Sequence, residues 1–160
     1  MRWFVTVPVS LPVVEDDELV PAFGPGRSRK LKSWGHDEHG VHWLVTRNGT
    51  ELHTDPTYLR YTHHLVYRND GFRIRGLSDD LHPPMVPGAM YCLDTHSPHE
   101  VVPDERLEGE HLYKVQLAVD REDPLSPPGA YKLFRRWLYR NDRPGDTASG
   151  ATLIAPRYRQ

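Results

Sequence analysis

A single cysteine, Cys92, in 160 residues leaves no partner for an intramolecular disulfide and excludes a thiolate-ligated zinc cluster. Any metal held by this chain must therefore sit on histidines and carboxylates. Net charge is equally scarce. Twenty Lys+Arg stand against 22 Asp+Glu, a formal −2, so no whole-chain basic field advertises nucleic acid or an anionic membrane, and a small, locally charged partner is the more natural expectation. No apolar run approaches the length of a membrane span. Residues 1–14 are apolar but broken by Pro8 and Pro12, carry only Arg2 as a base and lack an obvious small-residue cleavage site, so a cytoplasmic protein is expected. Internal repeats and low-complexity tracts are also missing. The length suits one domain, 1–160, with its core over about 41–120.

Punctuation, by contrast, is plentiful. Fifteen prolines and 12 glycines cut the chain into short segments, which favours strands and turns and predicts a mostly β fold. The pattern places strands at 3–9, 41–47, 58–68, 71–77, 89–93 and 112–119. Asn69-Asp70-Gly71 supplies the positive φ angles of a tight turn, so the strands on either side of it are expected to be antiparallel neighbours. Two segments read as helices, 15–20 and about 130–141. In the second, Tyr131, Phe134, Trp137 and Leu138 recur at helical spacing with basic residues between them, which predicts a helix laid over the outside of a sheet. Loops are expected at 24–32, which is basic, and at 141–150.

Ten histidines are too many to act together, so spacing has to choose among them. His53-Thr54-Asp55 is the only His-x-Asp pair, and on an extended segment its two side chains project to the same side. Downstream, Pro87-Gly88 feeds a short apolar strand that ends at Asp94, and His99 opens the next strand. One distant histidine added to His53 and Asp55 would complete a two-histidine, one-carboxylate face with open positions, the donor set of non-haem Fe(II) chemistry. His96 is a rival for the distal position. His36, His39 and His42 read as a polar loop rather than a second metal site. His63 and His64 alternate faces of one strand, so at most one points at the metal. His82 and His111 read as turn residues, and Cys92 as a small buried apolar side chain.

Strand phase adds a second signal. Arg60, Thr62 and His64 share one face of the strand after Asp55, opposite Tyr61, His63, Leu65 and Tyr67. Lys114 and Gln116 share a face opposite Val115, Leu117 and Val119. In a half-exposed sheet these polar faces meet water. In a closed barrel they line the lumen, and a lumen carrying Arg60, Lys114, Thr62 and Gln116 suits a dicarboxylate.

In these motifs the chain resembles the Fe(II)/2-oxoglutarate-dependent oxygenases, in which a His-x-Asp follows one strand and the distal histidine follows a Pro-Gly-(apolar)-Asp-x-x-x-x-His segment. The nearest likeness is to the aspartyl/asparaginyl β-hydroxylase-like branch, through Leu59-Arg60-Tyr61-Thr62 and Lys114-Val115-Gln116-Leu117-Ala118-Val119-Asp120, and it spans roughly 51–120. Lys114 stands where that branch usually has arginine, and Thr62 where it often has histidine. The resemblance implies a double-stranded β-helix, a jelly-roll or cupin-like barrel, with one or two flanking helices. It implies that His53, Asp55 and His99 are the metal ligands and catalytic centre, holding Fe(II), with 2-oxoglutarate as co-substrate. Lys114, then Arg60, then Arg106 would anchor the distal carboxylate, while Thr62 and Gln116 complete the co-substrate site and Asp94 orients the distal loop. The reaction implied is oxygen-dependent hydroxylation of an amino-acid-like or peptidyl substrate. A cupin-type metal enzyme or sugar-binding cupin is the first alternative, although His53-Thr54-Asp55 lacks the His-x-His pair with a following glutamate usual in cupins. A non-catalytic β-sandwich binding domain is the second. Substrate contacts are expected in the loops at 24–37 and 78–85, including the Arg27-Ser28-Arg29-Lys30 patch.

Overall fold

The computed structural model describes residues 1–8, 32–36, 39–47, 49–57, 59–76, 85–103 and 113–141, and among these described residues are nine strands and one helix. The helix expected at 15–20, most of the two expected loops, His82, Arg106 and His111 lie outside the described residues. The strands are β1 (Trp3–Thr6), β2 (Lys32–His36), β3 (His42–Arg47), β4 (Thr50–His53), β5 (Tyr61–Asn69), β6 (Phe72–Gly76), β7 (Ala89–Asp94), β8 (His99–Pro103) and β9 (Tyr113–Arg121), followed by α1 (Pro127–Asn141). A six-stranded sheet runs in the order β1-β7-β5-β9-β3-β2 and a three-stranded sheet in the order β4-β8-β6, with every pairing antiparallel. From β3 to β9 successive strands alternate between the two sheets, which is the winding of a double-stranded β-helix.

That winding corrects one expectation. β5 and β6 are not ladder partners, because β5 lies between β7 and β9 whereas β6 pairs with β8. The Asn69-Asp70-Gly71 turn is instead a corner that carries the chain from one sheet to the other. Asn69 makes the corner. Its Oδ1 accepts from the Gly71 and Phe72 amides at 3.2 and 2.8 Å, and its Nδ2 donates to the Phe72 and Met85 carbonyls at 2.8 Å each. Gly71 has a φ of +114°, which side-chain-bearing residues rarely adopt.

The pleat then sorts side chains between two cores. Val66, Ala89, Tyr91 and Leu93 of the large sheet meet Phe72, Ile74 and Val101 of the small sheet in the space between them. On the other face of the large sheet, Leu65, Tyr67, Val115, Leu117 and Val119 pack under Ala130, Phe134 and Trp137 of α1. Both faces of the six-stranded sheet are thus covered, and the helix lies where its apolar spacing predicts. Phe134 and Trp137 are almost wholly buried, each worth on the order of 1.5–3 kcal/mol in apolar transfer. Among the described residues no helix is long and apolar enough to cross a membrane.

Candidate metal centre

The site begins with a bulge. β4 pairs with β8 through Thr50 opposite Val101 and His53 opposite His99, so three steps on β4 answer two on β8. In a regular strand residues three apart face opposite ways. The extra residue restores the phase, and both Thr50 and His53 turn into the space between the sheets. The bulge is pinned by the Val101 amide, which donates to Thr50 Oγ1 at 3.1 Å. His53 and His99, directly opposite across the ladder, then share one face, with ring centroids 4.4 Å apart.

Asp55 joins them from the segment beyond β4. Its amide donates to the Thr95 carbonyl at 2.8 Å, and the buried Thr95 is held in turn by its own amide and hydroxyl, which donate to the Arg60 carbonyl at 2.8 and 3.0 Å. Asp55 Oδ1 lies 3.7 Å from His53 Nε2, and Oδ2 lies 3.3 Å from His99 Nε2. One donor atom from each residue falls within 4.8 Å of the others. His99 is buried, while the His53 and Asp55 side chains are about one-third exposed, so the cluster can be reached from outside.

The hydrogen bonds behind the two rings decide which nitrogen is available. His53 Nδ1 meets the Glu51 carbonyl at 2.6 Å, and His99 Nδ1 meets the Ser97 carbonyl at 2.9 Å, each two residues back. A carbonyl only accepts, so Nδ1 carries a proton in both rings, and Nε2 is the nitrogen turned toward Asp55. Two Nε2 atoms and a carboxylate converge on one point, and backbone-bonded imidazole is the usual arrangement behind a metal ligand. The donor set of two imidazoles and one carboxylate fits a divalent metal ion.

A cavity of about 500 Å³ extends from this cluster toward the large sheet. Lys114 and Thr62 line it with the three donors. Lys114 is buried without a hydrogen bond or ion pair to any described residue, and that burial pulls its ammonium down to about 7. Gln116 sits behind the wall, fully buried, with Nε2 donating to Tyr91 Oη at 2.7 Å, and it does not line the cavity. Arg60 is elsewhere. Its half-exposed guanidinium pairs with Asp94 Oδ2 at 3.0 Å, and that hydrogen bond holds the Asp94 carboxyl below its usual range. β5 starts at Tyr61, so the alternation that carries Thr62 and His64 inward does not extend back to Arg60. Asp94 also accepts from the His96 amide at 3.1 Å, which fixes the turn ahead of β8. His96 is exposed on that turn and takes no part in the cluster.

Several lining residues go beyond the sequence reading. His42, read as part of a polar loop, is a buried residue of β3, and His36 faces it in register on β2. Alternation would have revealed it, because His42, Leu44 and Thr46 share the phase of their partners Ala118, Gln116 and Lys114 on β9. His64 is the histidine of its pair that faces the cavity. Its ring stacks on Tyr91 at 4.7 Å, its Nε2 lies 3.0 Å from Thr62 Oγ1, and burial, with Lys114 nearby, holds it neutral.

No family model matches the sequence, and no curated protein matches it. Solved structures do. A cupin-2 domain-containing protein from Shewanella frigidimarina NCIMB 400 superposes with a TM-score of 0.41 at 11% identity, over 60% of this chain and 84% of that one. A cupin superfamily protein from Desulfitobacterium hafniense DCB-2 superposes at 0.39 and 15% identity, over 75% of this chain and 99% of that one.

Proposed function

We propose that the chain is an Fe(II)- and 2-oxoglutarate-dependent oxygenase that hydroxylates an amino-acid-like or peptidyl substrate. The observation that carries this reading is the sharing of one cavity by a two-histidine, one-carboxylate cluster and a buried lysine that pairs with no described residue. A desolvated ammonium gains most from an anion brought into the same dry space. 2-Oxoglutarate offers a keto acid to chelate a metal at one end and a second carboxylate at the other.

His53, Asp55 and His99 would hold the iron, with the Glu51 and Ser97 carbonyls keeping both imidazoles on the Nδ1–H tautomer. Iron with 2-oxoglutarate and oxygen supplies an oxidation that cleaves the co-substrate to succinate and carbon dioxide and can reach an unactivated C–H bond. The protein's own part is placement and exclusion of water. Lys114 binds the distal carboxylate, and Ile74, Tyr91, Leu93 and Val101 give the cavity apolar walls. His64 stays neutral beside Lys114 and so does not add a second competing cation.

Anaerobic calorimetry with Mn(II) in place of iron tests the reading. Binding of 2-oxoglutarate only when metal is present, with succinate formed on adding Fe(II) and oxygen, is the expected result. Metal-dependent binding of a sugar with none of 2-oxoglutarate would support the cupin alternative, and absence of metal binding the non-catalytic one. In the same titration Arg60→Ala should change 2-oxoglutarate affinity by less than about twofold, because an exposed guanidinium already paired with Asp94 has little to give a ligand in the cavity.

A further inference from the structure

On the face of the large sheet away from the cavity, His63 is fully buried and both ring nitrogens are occupied. The Leu125 amide donates to His63 Nε2 at 2.9 Å, and His63 Nδ1 lies 3.3 Å from the Val119 carbonyl. These two bonds require a neutral ring with its proton on Nδ1. The carbonyl of the same Leu125 accepts from Trp3 Nε1 at 2.9 Å, and the Trp3 and His63 rings lie 6.0 Å apart. Both polar groups of one residue are thus taken by side chains from β1 and β5. The next residue, Ser126, caps α1, its carbonyl accepting from the Ala130 amide at 2.9 Å and its hydroxyl from the Gly129 amide at 3.2 Å. Leu125 is therefore the point at which the helix is tied to the sheet it covers.

We propose that His63 and Trp3 form an acid-released latch on α1: protonation of His63 Nε2 removes the acceptor for the Leu125 amide and frees the start of the helix. A protonated imidazole turns a second N–H against the Leu125 N–H, and among the described residues only the Val119 carbonyl, already bonded to Nδ1, favours the added charge, which the cost of burial outweighs. The Arg121 guanidinium on β9 is the charge that reaches the ring, and it is of the wrong sign. Cys92 faces His63 in register on β7 and is a buried thiol pushed up to about 11. Trp3 on β1 is uncharged, Ala130, Phe134 and Trp137 form the packed face of α1, and Glu122 and Asp123 on the linker are exposed. His64, next along β5, faces the cavity. Burial holds His63 below its ordinary value, so the unfolded or released chain binds the proton more readily. Latch stability is therefore fully present above about pH 6.5 and is lost as the pH falls through the depressed value.

Release would matter for the cavity because β9 has two sides. Val115, Leu117 and Val119 lie under α1, while Lys114 and Ala118 of the same strand line the cavity, so freeing the helix uncovers the back of that wall. The latch does not depend on the proposed reaction, and its test reads structure alone.

Amide exchange followed by NMR on the full chain is the test. Protection of the Leu125 amide, corrected for intrinsic exchange, should fall at least about tenfold between about pH 7.5 and 5. His63→Gln offers a carbonyl to the Leu125 amide and an N–H to Val119 without titrating, so protection there should be flat over the same range. Unchanged wild-type protection, or an equal fall in His63→Gln, would overturn the latch. If the glutamine variant does not fold, the wild type still decides: titration of His63 without loss of Leu125 protection overturns it.

Discussion

Replacing His99 by alanine is expected to weaken divalent-metal binding by more than about a hundredfold while leaving the chain folded. Loss of a residue that merely orients a ligand already costs about tenfold to a hundredfold, and His99 is a donor itself. His53→Ala and Asp55→Ala should do the same, since each supplies one atom of the three that lie within 4.8 Å. The fold should survive, because His53 and Asp55 are partly exposed and none of the three belongs to either apolar core. His96→Ala is the control. Its side chain is exposed on the turn before β8, and metal affinity should stay within about twofold. Isothermal titration with Mn(II), alongside circular dichroism for folding, checks all four. Equal losses in His96→Ala and His99→Ala would mean that the distal donor has been misidentified.

Lys114→Met is expected to move stability and affinity in opposite directions. A buried ammonium held down at about 7 is protonated less readily than the same group in the unfolded chain, whose ordinary value is 10.5. Between those values the unfolded chain holds more protons, so wild-type stability rises with pH, and below about 7 the whole penalty of the buried charge is present. Removing the charge should therefore stabilise the apo protein near neutral pH by an amount on the order of a few kcal/mol, fading toward pH 10. Affinity for 2-oxoglutarate should fall by roughly tenfold to a hundredfold, the loss of a charge-assisted hydrogen bond worth about 1.5–3 kcal/mol. Wild-type affinity should also weaken as the pH rises above 7 and the amine loses its proton, whereas the variant should be flat. Metal affinity should hardly change in either. Thermal melts and calorimetry at two pH values read both effects. A less stable Lys114→Met with unaltered affinity would make Lys114 a structural residue.

Much of this was legible in the chain because period-two alternation is a strong constraint wherever a strand has two buried faces. β5 and β9 show it best. Leu65, Tyr67, Val115, Leu117 and Val119 go to the helix side, and Thr62, His64 and Lys114 go to the cavity, as their phase predicts. The apolar spacing of 130–141 likewise predicts α1, which begins three residues earlier at Pro127, where proline suits a first helical turn. Pairing was less legible. Asn69-Asp70-Gly71 has the composition of a hairpin, but only the reach of the Asn69 side chain to the Met85 carbonyl, 16 residues on, shows that it turns a corner between sheets. β2 and β4 carry little local signal. Lys32–His36 is mostly polar, and Thr50–His53 is four residues long with an irregular register. In the site, His-x-Asp points to two donors, but the bulge that turns His53 inward depends on β8, and no local pattern encodes it. Arg60 departs from its expected place for a related reason: phase carries meaning only inside a strand, and β5 begins one residue later.

The most direct measurement is a crystal structure of the chain with Mn(II) and 2-oxoglutarate, prepared without oxygen. One metal is expected, bound by His53 Nε2, an Asp55 carboxylate oxygen and His99 Nε2, with the keto acid end of 2-oxoglutarate on the same ion and the distal carboxylate on Lys114 Nζ. A metal held by other residues, or a distal carboxylate bound away from the cavity with Lys114 left alone, would contradict it.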